Sequence, residues 1–237
     1  MCSNAPIPGT GAHTDAAGGC GLVALGDSIT YGEGGIVLGV DGRSCALWMA
    51  QALDTPYTNY AVSGARVGGV VADQLPRVRR AYDVGALYAG VNDARSPEFD
   101  AGTFARDIDR AVAGLAAHCA KLLVLTIPRD LGRPRASEKV CAANTAIRAA
   151  AAAADATVVG LEDFAGWRHV LPDAVHPTAL GQLEIADRAA RALGASILPS
   201  ARTPPRTGRA ARARVAADWG RMWARSTTRR TVARWDA

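Results

Sequence analysis

Residues 23–30 read VALGDSIT. With Gly21 and Leu22 they form a short apolar run, GLVAL at 21–25, that stops abruptly at a glycine, an acid and a serine. The run is strand-sized and continuous, the pattern of a strand covered on both faces. Gly26 permits a tight turn. Ser28 then stands at the start of the next helix, where the aligned peptide dipoles favour a developing alkoxide or oxyanion. The plain alternative is that Ser28 or Asp27 caps that helix. What chooses between a cap and a nucleophile is whether other reactive side chains fall at equivalent places along the chain.

Further apolar runs of the same kind recur downstream. YTNYAV (57–62), VGALYAG (84–90), KLLVLTI (121–127) and ATVVGL (156–161) read as strands. Between them lie segments of helical period. RSCALWMAQAL (43–53) is followed by Pro56, and VGGVVADQLPRV (67–78) is a weak helix interrupted by Pro76. TFARDIDRAVAGLAAH (103–118) spaces Phe104, Ile108, Val112 and Leu115 by three or four. SEKVCAANTAIRAAAAA (137–153) has Ser137 as its expected cap, and TALGQLEIADRAARAL (178–193) has Thr178. Strand and helix alternate about five times, which predicts a three-layer α/β/α domain on a five-stranded parallel sheet. In such sheets ligands bind outside the carboxyl ends of the strands, near the point where strand order reverses.

The chain has 237 residues, 49% hydrophobic, enough for one core with extensions. The expected division is a leader at 1–20, a domain at 21–199 and a basic tail at 200–237. From Ser200 onward ten arginines face only Asp218 and Asp236, a net +8, so a chain of +5 leaves −3 for the body. The basic character belongs to the tail and says little about the body's partners. ARTPPRTGR (201–209) reads as a linker, and 209–226 as a helix with Val215, Trp219, Met222 and Trp223 on one face. Such a tail suits an anionic membrane surface, nucleic acid or a partner protein, against the plainer reading that it packs on the domain or is partly disordered. The first 21 residues hold neither a basic n-region nor an apolar h-region, so a cytoplasmic location is expected, with lipid anchoring at Cys2 or export as alternatives. The five cysteines show no metal spacing; a Cys2–Cys20 disulfide would need an oxidising compartment.

Four strand ends hold polar residues suited to one chemistry. After the first come Asp27 and Ser28. After the second, NYAVSGA (59–65) offers the Gly64 N–H, with Gly68 and Gly69 as nearby alternatives. After the third, AGVNDAR (89–95) offers the Asn92 amide, a neutral donor for an oxyanion. After the fifth, LPDAVHPTAL (171–180) puts Asp173 three residues before His176, an acid able to orient an imidazole base. His13, His118 and His169 lack such a partner. Asp27, Asp93 and Asn59 read as loop organisers that bind backbone groups.

On these blocks the chain resembles the SGNH (GDSL) hydrolase family. GDSIT (26–30), Gly64, GVND (90–93) and DAVH (173–176) stand in the family's order, over about residues 21–195. The resemblance implies a flavodoxin-like fold and a serine esterase that needs no metal or cofactor. It assigns Ser28 as nucleophile, His176 as base and Asp173 as its orienting acid. The oxyanion would be held by the N–H groups of Ser28 and Gly64 and by Asn92. Thr30 stands where the second glycine of a G-x-S-x-G elbow would be, so that other hydrolase turn is excluded. The expected substrate is a small acyl ester, short-chain or O-acetyl. Ile36, Val37 and Leu38 are candidates for one wall of the acyl pocket, and Trp167 for a neighbour of the site. The alternatives are a lysophospholipase or thioesterase acting on longer acyl chains, and a non-catalytic flavodoxin-like binding module. Oligomeric state is not written in the sequence.

Overall fold

The computed structural model describes residues 20–33, 40 and 42–203, together with residues 209, 213, 216, 217 and 220. The leader with Cys2, the pocket wall at 36–38 and most of the expected tail helix lie outside the described residues.

The segment Leu22–Gly26 forms β1, and all five of its residues are buried. It lies between β2 (Tyr57–Asn59) and β3 (Tyr82–Tyr88), parallel to both. The strands β4 (Cys119–Leu125) and β5 (Thr157–Val159) extend the sheet beyond β3, again in parallel. The strand order is β2-β1-β3-β4-β5. This is the flavodoxin-like order, whose reversal falls between β1 and β3. The register sets Gly26 beside Tyr88, so the ends of these two central strands finish together.

Helices cover the sheet on both sides. α5 (Ala101–Ala116) packs on α6 (Ser137–Ala153) and against β3 and β4. α7 (Ala179–Ala192) packs on α2 (Cys45–Ala52) and on the short α8 (Pro199–Arg202). In α5 the residues spaced by three or four, Phe104, Ile108, Val112 and Leu115, are all buried. Spacing alone thus chose the face that meets the sheet.

Element ends show where local chemistry overrode the pattern. α5 begins at Ala101, earlier than expected, because the Asp100 carboxylate accepts from the Thr103 N–H at 2.7 Å and caps it. Ser137 does not cap α6. The N-cap is Ala136, whose N–H closes a preceding turn on the Leu131 carbonyl, and Ser137 is already helical. Thr178 does cap α7, accepting from the Gly181 N–H at 3.0 Å. β2 stops at Asn59 because the Asn59 side chain accepts from the Ala61 N–H, an Asx turn that ends the ladder. The weak helix at 67–78 is three short pieces: α3 (Val67–Gly69), a π-helical turn (Val70–Gln74) and a 3-10 turn (Leu75–Arg77). Pro76 sits in the first turn of the last piece, where a missing N–H breaks no bond.

The end of β1 is clamped. Gly26 has φ +154°, and a Cβ there would run into the Tyr88 carbonyl and the Thr30 side chain. The buried side chain of Gln74 brackets the Gly26 backbone: its Oε1 accepts from the Gly26 N–H at 2.9 Å and its Nε2 donates to the Gly26 carbonyl at 2.8 Å. Thr30 Oγ1 donates to the Tyr88 carbonyl at 3.2 Å, tying the next turn to β3. Gln182, buried on α7, accepts from the Cys45 N–H and donates to the Ile29 carbonyl, each at 2.9 Å. Removing the Gln74 amide leaves the buried Gly26 N–H unpaired. Gln74→Leu is therefore expected to lower stability by about 2–3 kcal/mol, read as a lower midpoint in urea unfolding with the slope unchanged.

Candidate active site

The turn after β1 divides two tasks between adjacent residues. Asp27 is the N-cap of α1 (Ser28–Tyr31), and its Oδ1 accepts from the Ile29 N–H at 3.0 Å. Ser28 is the first helical residue, so its hydroxyl is not spent on capping. Ser28 Oγ lies 2.9 Å from His176 Nε2. His176 Nδ1 lies 2.7 Å from Asp173 Oδ2. An ionised carboxylate only accepts, so Nδ1 carries the proton and Nε2 presents its lone pair to the Ser28 O–H. That is the tautomer a general base needs.

The Asp173–His176 turn is held by its own backbone. Asp173 Oδ1 accepts from the N–H groups of Val175 at 2.9 Å and His176 at 3.0 Å. Leu171 N–H donates to the His176 carbonyl, and Gly132 N–H to that of Ala174, each at 2.8 Å. Ala174 takes a left-handed φ of +55°, a strained conformation for a residue with a Cβ, retained because these bonds surround it. Burial pushes the Asp173 carboxyl up, but the His176 bond and the two N–H groups outweigh it and hold it below its ordinary value. The Asp173 hydrogen bond in turn raises His176 above its ordinary value, against burial, with the Asp173, Glu33 and Asp27 charges adding to the rise.

The groups expected around an oxyanion lie on the segments that follow β1, β2 and β3. Gly64 has φ +77°, with open space where a Cβ would stand, and its N–H donates to no described residue. Gly68 and Gly69 lie inside α3, past the turn. Asn92 sits on α4 (Val91–Arg95) and donates one amide hydrogen to the Ala65 carbonyl at 3.0 Å. Its amide has a second hydrogen. The same bond joins the Asn92 helix to the Gly64 loop. Asp93 joins them again, accepting from the Val67 N–H at 3.1 Å. Asn59 donates to the Thr30 carbonyl at 3.1 Å, linking the second strand end to α1. His169 stacks on Phe164, away from any such arrangement. Trp167 is 61% exposed on the rim of a cavity of about 220 Å³. That cavity lies between residues 128–133 and 164–177, lined by Leu131, Phe164, Leu171 and Val175, and Ser28 does not line it.

Three functional side chains escaped sequence reasoning. Gln74 and Gln182 sit within helical patterns as ordinary polar residues, and no local signal marks amides that reach 48 and 153 residues along the chain. Glu33 lies in a glycine-rich stretch, yet its Oε2 is 3.7 Å from His176 Nε2.

Asp27 is the buried acid of the site. It is fully buried, and its Oδ2 has no hydrogen-bond partner among the described residues. Burial pushes its carboxyl up to about 7, against the Ile29 N–H and His176, which pull it down. The folded chain therefore keeps a proton that the unfolded chain loses near 3.8, so this group's contribution to stability is complete below that value and falls as pH rises toward 7. Asp27→Asn keeps the cap acceptor and removes the titration. Relative to the native chain it is expected to gain stability as pH rises from 5 to 7.5, measured by thermal unfolding at both values.

The GDSL-like lipase/acylhydrolase family profile matches residues 24–183. A lipase of Streptomyces rimosus is 39% identical over 80 residues, a stretch covering 30% of this chain and 30% of that lipase. Among solved structures, an α/β-hydrolase enzyme from the metagenome of Lake Arreo superposes with a TM-score of 0.60 at 18% identity, covering 76% of this chain and 97% of that one. A variant of an acetyl xylan esterase from Geobacillus stearothermophilus gives 0.60 at 17%, covering 76% and 97%. The extracellular lipase of Streptomyces rimosus gives 0.53 at 24%, covering 73% and 97%. The profile match takes in most of the chain, with the Gly26–Ser28 turn near one end and the Asp173–His176 turn near the other, and so the chain belongs to the GDSL-like lipase/acylhydrolase family.

Proposed function

We propose that this chain is a serine esterase that cleaves a short-chain or O-acetyl ester through an acyl-enzyme intermediate. The observation that carries the reading is the continuous path from Ser28 Oγ through the His176 ring to Asp173, with contacts of 2.9 and 2.7 Å. Ser28 attacks the acyl carbon while His176 Nε2 takes its proton. The same proton passes to the departing alcohol. His176 then draws a proton from water, which attacks the acyl carbon, and returns that proton to Ser28 Oγ as the ester bond to Ser28 breaks and the carboxylic acid leaves. Asp173 stays ionised and supports the imidazolium. The Ser28 and Gly64 N–H groups and the second Asn92 amide hydrogen receive the oxyanion. The short-acyl preference draws on the structural likeness to an acetyl xylan esterase.

The Leu131, Phe164, Leu171 and Val175 side chains in the cavity near the Asp173–His176 turn, whose lining also holds Asp130 and Arg133, favour a second reading, a lysophospholipase- or thioesterase-type activity on longer acyl chains. A p-nitrophenyl ester series from acetate to octanoate separates the two. Peak kcat/KM at acetate supports the first, and at octanoate the second. Ser28→Ala is expected to lower kcat by roughly 10⁴-fold or more on every ester. Unchanged turnover in that variant would refute both and leave a binding module.

The pH profile tests the base. His176 acts only when its Nε2 is unprotonated, so kcat/KM falls as pH drops through its pKa. Because the Asp173 bond raises that pKa, the acid limb is expected above the ordinary histidine value of 6.5. In Asp173→Asn the limb moves to lower pH, as kcat itself falls by about 10⁴.

A further inference from the structure

Glu33 follows the left-handed Gly32 that ends α1. Its N–H donates to the Ser28 carbonyl at 2.9 Å, and its own carbonyl accepts from Gln182 Nε2 at 3.4 Å. The backbone is thus tied both to the nucleophile's turn and to a buried amide of α7. Its side chain, 44% exposed, turns back over the catalytic pair and brings Oε2 to 3.7 Å from His176 Nε2. Ser28 Oγ approaches that same ring nitrogen at 2.9 Å. Asp173 already holds the other nitrogen, so Glu33 is not needed to orient the ring. At 3.7 Å it makes no hydrogen bond to it. Neither carboxylate oxygen of Glu33 accepts a hydrogen bond from a described residue.

The chemistry of the step defines what meets this carboxylate. Nε2 must deliver its proton to the departing alcohol oxygen, which therefore comes within about 3 Å of it. A carboxylate oxygen beside that nitrogen then lies within reach of whatever the neighbouring carbon of the alcohol bears. A hydroxyl there can donate a short, charge-assisted hydrogen bond. A plain alkyl group would strip water from the carboxylate and offer nothing in return. A phosphate would set like charge against like.

We propose that Glu33 is the specificity-determining residue for the leaving group. The alcohol it selects carries a free hydroxyl on the carbon next to the esterified oxygen, as in a monoester of a vicinal diol or of a sugar ring. The assignment rests on the serine esterase reading above. It disfavours alcohols that bear a phosphate near the ester. An ammonium would also be attracted, but the charge of a half-exposed carboxylate is screened by solvent and salt, whereas a directional hydrogen bond keeps its selectivity.

The test holds the acyl group constant and varies only the alcohol. Substrates are 2-hydroxyethyl acetate, propyl acetate, 2-acetoxyethyl phosphate and acetylcholine, assayed with the native chain, Glu33→Gln and Glu33→Ala. The readout is the ratio of kcat/KM values within each protein. The native chain is expected to prefer 2-hydroxyethyl acetate to propyl acetate by about tenfold. Glu33→Ala brings that ratio near one and relieves the discrimination against the phosphate ester. Glu33→Gln, which keeps an acceptor without the charge, gives an intermediate ratio. An unchanged ratio in Glu33→Ala overturns the proposal. So does an equal loss on all four esters with a shifted acid limb, the mark of an effect on His176 alone. Acetylcholine as the best substrate also overturns it, in favour of selection by charge. If the native chain cleaves none of the four, nor any of the p-nitrophenyl series, the esterase reading itself falls.

Discussion

The backbone of Gly26 is held from both sides by one buried amide. Gln74 receives its N–H and donates to its carbonyl, while Tyr88 and Thr30 close off the space a side chain would need. Everything catalytic is referenced to this point. Ser28 is two residues on, and the strand that ends here lies inside the sheet, between β2 and β3. A hydroxyl must hold its hydrogen-bonding position relative to its base to within a fraction of an ångström to react, and a free loop end could not keep it there. The clamp converts the rigidity of a fully buried strand into the position of Ser28.

From that point the strand order does the rest. Since β1 lies between β2 and β3, the loops bearing Gly64 and Asn92 flank Ser28 on its two sides. Two hydrogen bonds, from Asn92 to Ala65 and from Val67 to Asp93, join those loops to each other. His176 comes from the far edge, after β5, and is delivered by a turn that satisfies its own backbone groups. Three carboxylates then surround one imidazole and differ in environment. Asp173 accepts hydrogen bonds and stays ionised. Asp27 is buried with one oxygen unpartnered and favours the neutral form. Glu33 is half-exposed, with its Oε2 3.7 Å from His176 Nε2. Environment separates the tasks of chemically similar groups.

Much of this was legible in the chain. Five apolar runs alternating with helical periods specify a parallel α/β sheet because burial on both faces demands continuous apolar strands. Ser28 and Asn92 were legible because each follows closely on a strand, where such a sheet must gather its loops; the Asp173–His176 pair stands well past the end of β5 at Val159 and was legible from its own spacing. Element ends were less legible. The Asp100 cap started α5 at Ala101, ahead of the expected Thr103, and the Leu131–Ala136 turn displaced the expected Ser137 cap by one residue. These ends were decided by single hydrogen bonds, from the Asp100 carboxylate in one and between backbone groups in the other, which hydrophobic periodicity does not register.

By itself, then, the sequence determined the layer architecture, the family and the chemical types present at the strand ends. Those follow from local patterns: burial period, turn glycines, and an acid three residues before a histidine. Only the tertiary structure decided that Asp27 rather than Ser28 caps α1, that Gln74 and Gln182 brace the turn, and that Glu33 comes close to His176 Nε2. Each of those outcomes depends on a contact across the fold or on the exact path of one turn. A hydrogen bond between residues 48 or 153 positions apart leaves no period in a sequence, because it is made by the packing of the sheet and not by the neighbours along the chain.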